Sequence, residues 1–303
     1  MAANPPRTAL ALLFFALSWV LGTPEISCKK ENGGAVDWFI FYKLPKRPGS
    51  KDAASGLEYL YLDSTMRSWR KSQYLMNSSK SVLGRTLEQL YKVYTSKSNE
   101  TAYLMYNDGV PKSTNYSSKY GHTKDSQLLV SQPNIYSCSI PNTFHQELIH
   151  MPQLCAKSSS LKIRGRHLTV LQSAQGQNFF HFVKSNSYTD DIFTAWMAQQ
   201  LKTDLLAETW QRKGHALPSN CSLPYHVYNI KAIKLYHRPY FSSYHDHSKW
   251  CVSTQGSKYR WTCIGDLNRD PRQAFRSGGF ICTHNQEIYY AFHRLLVHYE
   301  PCD

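Results

Sequence analysis

The pattern of apolar and polar positions predicts strands and helices along the whole chain. Residues 36–45 form an aromatic and β-branched run that ends at a proline, which predicts a buried strand. Residues 85–94 have apolar side chains at helical intervals. Further strands are predicted at residues 57–62, 103–106, 168–172, 179–183, 225–235 and 261–264, and a closing helix at residues 287–299. Strands and helices in both parts predict a mixed α/β fold.

One predicted helix has two neighbouring carboxylates at its start. Thr189 is expected to cap a helix that begins with Asp190 and Asp191 and has an apolar face of residues 193, 197, 201 and 205. The two aspartates suit the positive end of the helix dipole. We favour this structural role over a catalytic pair of carboxylates.

The N-terminus has the pattern of a secretory signal peptide. An almost unbroken apolar run from Ala9 to Leu21 follows Arg7, and it is shorter than the ~20 residues of a membrane-spanning helix. We predict a signal peptide at residues 1–22 and no stable membrane association. Four sequons agree with secretion and predict glycosylation at Asn77, Asn99, Asn115 and Asn220.

Composition and charge narrow the class of protein. The chain has 303 residues, of which 42% are hydrophobic and 18% are charged, as in globular proteins. Its eight cysteines form no CxxC or CxxH, which favours disulfides over zinc but leaves their pairing open. A net charge of +14 favours a polyanion such as nucleic acid as partner, with solubility or nonspecific glycan binding as the alternative.

Two of the thirteen histidines have a lysine at the second position after them, at His122-Thr123-Lys124 and His247-Ser248-Lys249. In an extended segment, residues i and i+2 point to the same side, so each motif presents an imidazole and an ammonium together. Two such motifs face to face supply a nucleophile, a general acid and two phosphate-binding cations. This set is sufficient to cleave a phosphodiester without a metal. Two surface histidines beside lysines are the alternative.

The residues around both motifs closely resemble the deoxyribonuclease II family, and they look most like its beta form. The resemblance covers nearly all of the chain beyond the signal peptide. Its most specific stretch is Asp246-His247-Ser248-Lys249-Trp250-Cys251, and the others include residues 36–45, 60–64, 106–108, 121–124, 217–221 and 261–269.

The resemblance implies a fold and an activity. The family is similar to the phospholipase D superfamily, so we expect a pseudo-symmetric architecture of two halves, with residues 23–124 as the first, 166–303 as the second and 125–165 as junction and linker. It implies an endonuclease that cuts double-stranded DNA at acidic pH without metal or cofactor, through a covalent phosphohistidine, and leaves 3′-phosphate ends. The expected location is the lysosome or the extracellular space; oligomeric state stays open.

Site residues follow by position in the family's motifs. His122 and His247 are the expected catalytic histidines, and Lys124 and Lys249 the expected phosphate ligands. Asn268, in Gly265-Asp266-Leu267-Asn268, is expected either to orient a phosphate oxygen or to serve as a turn residue. His245 either tunes His247 or is an exposed loop histidine.

The chain departs from the family pattern after Lys124. In the family, H-T-K continues into a glycine and an apolar strand, whereas here Lys124 is followed by residues 125–130, which the family places several dozen residues later. The resemblance therefore implies an internal deletion and an incomplete first half. We expect this chain to be poorly active or inactive as made.

The cysteines also indicate an internal deletion. The resemblance pairs Cys221 with Cys302 and Cys263 with Cys282, while Cys138 and Cys155 are close enough in sequence to pair locally. The partner of Cys28 is expected in the missing segment, which leaves Cys28 and Cys251 as odd thiols.

Two other functions compete with the nuclease. One is a secreted, nonenzymatic glycoprotein that binds DNA or another polyanion. The other is a metal-dependent phosphoesterase built on His245-Asp246-His247, which we disfavour because no cluster of acidic and histidine ligands accompanies it in the sequence.

Overall fold

The computed structural model describes residues 26–46, 49, 51–52, 55–107, 134–156, 164–212, 214–235 and 240–302. The described strands are β1 (Cys28–Lys29), β2 (Ala35–Val36), β3 (Phe39–Lys43), β4 (Tyr59–Asp63), β5 (Arg70–Lys71), β6 (Tyr103–Tyr106), β7 (Ile135–Ser139), β8 (Arg166–Gln172), β9 (Asn178–Lys184), β10 (Leu205–Glu208), β11 (Val227–Ile233), β12 (Phe241–Ser242), β13 (Trp250–Ser253), β14 (Thr262–Gly265), β15 (Gly278–Thr283) and β16 (Leu296–Tyr299). The described α-helices are α1 (Val82–Ser96), α2 (Met151–Cys155), α3 (Ala198–Leu201) and α4 (Gln286–His293). A π-helical segment, Phe193–Met197, leads into α3, and two 3-10 turns occupy Asn142–Phe144 and Pro271–Phe275. The predicted mixed α/β class is confirmed.

A sheet of nine strands organises the C-terminal part of the described chain. Its order is β12-β11-β10-β13-β14-β15-β9-β8, and β16 also pairs with β11. Of these pairings, β10–β11 is parallel and the others are antiparallel. The strands β10 and β13 are buried along their whole length, as expected for central strands of a sheet that is covered on both faces.

Successive residues of these central strands belong to two different hydrophobic cores. Leu205 and Ala207 pack with the π-helical segment and α3, whereas Leu206 packs with α4 on the other face. Cys251 likewise faces the first core, and Trp250 faces the second. This alternation follows from the two-residue period of a strand.

The N-terminal part packs on the face that also carries α4. The antiparallel sheet β3-β4-β5 contributes Tyr42, Leu44 and Leu62 to the core of that face. The Trp69 indole donates to the carbonyl of Ala291 in α4 (2.9 Å). Within the run at residues 36–45, β3 covers Phe39–Lys43 and Tyr42 is its only fully buried residue, so the strand is shorter and more exposed than predicted. It is the element that reaches the site described below.

An apolar cavity of about 470 Å³ separates part of β3 from the large sheet. Its lining includes Phe39 and Phe41 from β3 and Phe179, Ile264 and Phe280 from the sheet. The cavity is a cleft between the two parts that opens to solvent.

The predicted helix at residues 190–205 is wrong at both ends. It begins at Ile192, and Asp191 rather than Thr189 satisfies its start: Asp191 Oδ1 accepts from the Phe193 amide (3.3 Å) and Oδ2 from Thr194 Oγ1 (2.7 Å). The helix ends before Lys202, whose φ is 52°. Leu205 instead begins β10, because that segment gains backbone partners from both β11 and β13.

The predicted closing helix at residues 287–299 is wrong in its last third. The helix α4 ends at His293, and residues Leu296–Tyr299 form β16, which pairs with β11. The edge of β11 supplies backbone hydrogen bonds that outweigh the local helical pattern.

Three disulfides are present, and they join the expected pairs Cys138–Cys155, Cys221–Cys302 and Cys263–Cys282. Cys28 and Cys251 are free thiols. Burial raises the pKa of the Cys251 thiol well above its usual value, so this thiol is unreactive. Disulfides of this kind fit an oxidising compartment.

The structure describes only some of the residues on which the predicted signal peptide and glycosylation sites fall. The predicted signal peptide and Asn115 lie outside the described residues. Asn77 and Asn99 are exposed, and Asn220 is half-buried with its Oδ1 accepting from the Ser222 amide (3.0 Å). Among the described helices, none has the length and apolar character needed to span a bilayer.

We predict that Asp191→Ala destabilises the fold while Asp190→Ala does not. Asp191 pairs with Arg269 (3.1 Å), whose side chain is 2% exposed, and loss of one partner of a buried pair costs about 3–5 kcal/mol. Asp190 is exposed, and surface substitutions change stability by about 0.5 kcal/mol or less. Chemical denaturation of both variants measures the difference, and equal losses would contradict a structural role specific to Asp191.

Candidate active site around His247

The second histidine-lysine motif lies immediately before the central strand β13. His247 is exposed, and Lys249 directly precedes Trp250, which is 1% exposed and begins the strand. The motif is therefore attached to one of the most firmly paired elements of the sheet. The first motif, with His122 and Lys124, lies outside the described residues.

A buried hydrogen-bond network holds both residues that flank His247. Asp246, 2% exposed, accepts from the Ser248 amide at Oδ1 (3.1 Å) and from the Ser248 hydroxyl at Oδ2 (2.6 Å). The Tyr42 hydroxyl also donates to Asp246 Oδ2 and lies 2.8 Å from Ser248 Oγ. Tyr42 belongs to β3, so the N-terminal part of the chain fixes the backbone on both sides of His247.

The His247 ring stacks on Trp210. The two ring centroids are 3.7 Å apart, with an angle of 29° between the planes. The Arg212 guanidinium carbon lies 4.6 Å from the Trp210 ring centroid. The Trp210 indole nitrogen donates to the carbonyl of Tyr244 (2.9 Å), which fixes the ring against the loop that carries His247.

The surroundings of His247 favour its neutral form. Its pKa is lowered, first by partial burial and then by the positive charges of Lys249, Lys43 and Arg212, while Asp246 opposes the shift. A neutral imidazole is the nucleophilic form of histidine. The lowered pKa favours the neutral imidazole of His247 compared with a histidine free in water.

Lys249 and Asn268 take different positions around this histidine. Lys249 Nζ donates to the main-chain carbonyl of His247, which holds the ammonium against the backbone of that residue. Asn268 Oδ1 accepts from the main-chain amide of Trp210 (3.1 Å). Asn268 thus supports the residue on which His247 stacks, a contact that its expected role as a phosphate or turn residue did not include.

A second carboxylate is buried behind the network. Glu208, at the end of β10, is completely buried and accepts from Ser243 Oγ at Oε2 (2.5 Å). Burial raises the pKa of Glu208 well above its usual value, and the charge of Asp246 raises it further. Within the described part of the chain, its Oε1 has no hydrogen-bond partner. The raised pKa favours the protonated form of Glu208.

The arrangement does not resemble a metal centre built on His245-Asp246-His247. His245 is exposed with its ring edge-on to Tyr244, and Asp246 directs its carboxylate to Tyr42 and Ser248. In the residues that the structure describes, there is no group of three or more potential metal ligands. His245 is also not among the groups that shift the pKa of His247.

Sequence reasoning missed four residues that shape this site, namely Tyr42, Glu208, Trp210 and Arg212. The sequence separation between Tyr42 and Asp246 is 204 residues, so no local spacing connects them. Among these four residues, only Tyr42 had any indication of importance in the sequence, because it lies in the run at residues 36–45 that the family resemblance includes.

The family model described as Deoxyribonuclease II matches residues 27–126 and residues 125–302. A mixed α/β fold with this site, matched over most of the chain, defines the protein as a nuclease by class. The chain belongs to the deoxyribonuclease II family.

Its relatives indicate a beta-like member. Deoxyribonuclease-2-beta of Homo sapiens is 60% identical over 356 residues, which cover 100% of this chain and 99% of the relative. Deoxyribonuclease-2-beta of Rattus norvegicus is 57% identical, with 100% of both chains covered. Deoxyribonuclease-2-alpha of Sus scrofa is 33% identical, with 98% of this chain and 96% of the relative covered.

We predict that Lys249→Gln raises the pKa of His247. The ammonium of Lys249 is the leading charge that disfavours the imidazolium, so its removal favours protonation. NMR titration of the histidine signals measures the change, with His247→Gln used to assign the resonance. Lys43→Gln is the matched control, since Lys43 has a smaller effect, and a larger rise in that variant would contradict the prediction.

A further prediction concerns the pH dependence of stability. The folded protein holds the Glu208 proton above the pH, near 4.3, at which an unfolded chain releases it. Glu208 therefore reduces the free energy of unfolding progressively as pH rises above that value. We expect Glu208→Gln to lose less stability than the parent between about pH 4 and pH 7. Denaturation across this range tests it; Glu147→Gln, at an exposed position, should follow the parent.

Proposed function

We propose that this chain carries the site of an acid endodeoxyribonuclease that hydrolyses double-stranded DNA without metal or cofactor. The observation that carries the proposal is His247, fixed between two network residues, stacked on Trp210 and shifted toward its neutral form. The net charge of +14 supports attraction of a polyanionic substrate.

In the proposed reaction, His247 is the nucleophile and His122 the general acid. The His247 imidazole attacks phosphorus, the bond to the 5′ oxygen breaks, and protonated His122 gives its proton to that oxygen. Water then attacks the phosphohistidine, His122 accepts the proton of that water, and the nitrogen–phosphorus bond breaks to leave a 3′-phosphate. Lys124, Lys249 and Asn268 stabilise the charge on the nonbridging oxygens.

The proposed mechanism takes one histidine from each half of the chain. We assign residues 23–124 to the first half and residues 166–303 to the second, related by the pseudo-symmetry of the phospholipase D superfamily, with 125–165 between them. The start of β8 at Arg166 supports this boundary. The described strands support an unequal pair, because residues 23–124 contain the six strands β1 to β6 whereas the sheet of the second half has nine.

We propose further that an internal deletion impairs this chain. The alignment with the human relative spans 356 residues whereas the chain has 303, so at least 53 positions lie opposite gaps in this chain. The two family matches meet at residues 125–126, beside Lys124. The apolar cavity beside β3 and the free thiol of Cys28 fit the loss of a packed segment and of a disulfide partner.

The proposed route is secretory. Residues 1–22 act as a signal peptide, and the product is glycosylated at Asn77, Asn99, Asn115 and Asn220 and resides in the lysosome or outside the cell. The three disulfides and the exposure of Asn77 and Asn99 support this assignment.

A second candidate function is a secreted protein that binds DNA without cutting it. The feature that favours it is the proposed loss of residues after Lys124, which leaves the net charge of +14 but disrupts the proposed two-histidine site. Both candidate functions have DNA as the ligand. They differ in whether His247 takes part in its cleavage.

We predict that restoring the segment restores activity. The unmodified chain should nick plasmid weakly in EDTA at about pH 5, where histidine pairs share protons. Insertion of the human relative's gap residues between Lys124 and Asp125 should raise the rate. In the restored chain, His247→Gln should lower the rate at least ~100-fold while DNA retention persists. Nicking by the unmodified chain at the restored rate would overturn the proposed impairment. A restored chain that never nicks DNA would favour the binding protein.

A further inference from the structure

A cavity of about 480 Å³ opens beside His247. The described residues that line it are Trp210, Arg212, His215, Tyr244, His245 and His247. The proposed reaction uses His247 alone among them. The other five form a surface next to the reacting group with no part in the chemistry.

The wall of this cavity favours an anion. Arg212, His215 and His245 contribute cationic or protonatable side chains, and none of the described lining residues is acidic. Two carboxylates contact residues next to this wall: Asp246 is held by Tyr42 and Ser248, and Asp270, 5% exposed, pairs with Arg212 (3.6 Å) and offsets part of its charge. A strand of DNA that is bound at His247 brings such an anion with it, namely the neighbouring phosphate.

The cavity also offers an aromatic surface. Trp210 already contacts His247 and Arg212 with its ring. Tyr244 is 50% exposed, and its ring meets His245 edge-on at 5.2 Å. The backbone of Tyr244 is fixed, because its carbonyl accepts from Trp210 Nε1 and its amide donates to Ser242 Oγ (3.2 Å). A half-exposed aromatic ring on a fixed loop beside cations is the arrangement on which nucleic-acid bases stack.

The cavity is a cleft open to solvent, and its volume of about 480 Å³ leaves room for more than a single phosphate. We propose that this cavity binds the nucleotide next to the scissile phosphate, with its base stacked on Tyr244 and its phosphate held by Arg212, His215 and His245. This proposal rests on the proposed function, because it places the scissile phosphate at His247.

A base can stack on Tyr244 only after it has unstacked from its neighbours in the DNA. Such a base is most accessible in single strands, frayed ends or mismatches, where unstacking costs least. The subsite therefore engages double-stranded DNA where a base pair has opened, and it accepts an already unpaired base without that cost. Stacking on an aromatic ring contributes about 1–3 kcal/mol per base, or about 5- to 150-fold in affinity.

The test compares two probes that differ only in their bases. A short oligothymidylate and an abasic oligomer of equal length, both with hydrolysis-resistant phosphorothioate linkages, are titrated into the full chain in EDTA at acidic pH. We expect Tyr244→Ala to weaken oligothymidylate binding about 5- to 150-fold, Tyr244→Phe to retain it, and neither variant to change abasic binding. Tyr259→Ala is the matched control, because Tyr259 is also 50% exposed but does not line this cavity.

Two results would overturn the subsite. If Tyr244→Ala weakens the binding of both probes equally, the role of Tyr244 is to support Trp210. If it weakens the binding of neither probe, no base stacks on the Tyr244 ring. The outcome is separable from that of the cleavage proposal. Base-dependent binding in a chain whose restored form never cuts DNA supports the subsite alone, whereas cleavage by the restored chain without a Tyr244 effect removes only the subsite.

Discussion

The buried carboxylate of Asp246 connects the N-terminal strand β3 to the site. It accepts hydrogen bonds from Tyr42 on one side of the molecule and from Ser248 in its own loop, so one group fixes the backbone before and after His247. A carboxylate that is 2% exposed is stable only when its hydrogen bonds are complete, since an unpaired buried charge is far more costly than the bonds are worth. Precise placement of an exposed histidine thus depends on a tyrosine that lies 204 residues away in sequence.

The proximity of Glu208 to Asp246 places a second constraint on this region. Burial of Glu208 and the charge of Asp246 both raise the pKa of Glu208, which favours its protonated form. Asp246 accepts the hydrogen bonds that hold the His247 loop, and Glu208 lies behind it against Ser243. Because its pKa is raised in the folded protein, Glu208 lowers the free energy of unfolding as the pH rises.

The sequence predicted those features whose cause is local. The strand within residues 36–45 and the helix α1 follow from patterns of apolar residues within one element, and the pair His247 and Lys249 follows from its spacing and from family resemblance. The failures share a different cause. Leu205 and residues Leu296–Tyr299 read as helical by pattern, yet both joined the large sheet because β11 and β13 offered backbone partners that no local window contains. The stack of His247 on Trp210 was missed for the same reason.

The location of the sheet and disulfides that hold His247 explains how this part of the site persists despite the proposed deletion near Lys124. The nine-stranded sheet and the disulfides Cys221–Cys302 and Cys263–Cys282 lie entirely within the C-terminal part, so its hydrogen bonds need no residue before Arg166. The face that carries Trp250 packs against the N-terminal strands through Tyr42 and Leu62, and Asp37 also accepts hydrogen bonds from Ser173 and Gln175 between β8 and β9. A loss near Lys124 therefore spares the frame of His247 while it loosens the cover of that face, where the cavity beside β3 lies. On the proposed mechanism, such a chain retains the groups that hold DNA and loses the pairing of two histidines that cuts it, so its defect falls on the chemical step more than on binding.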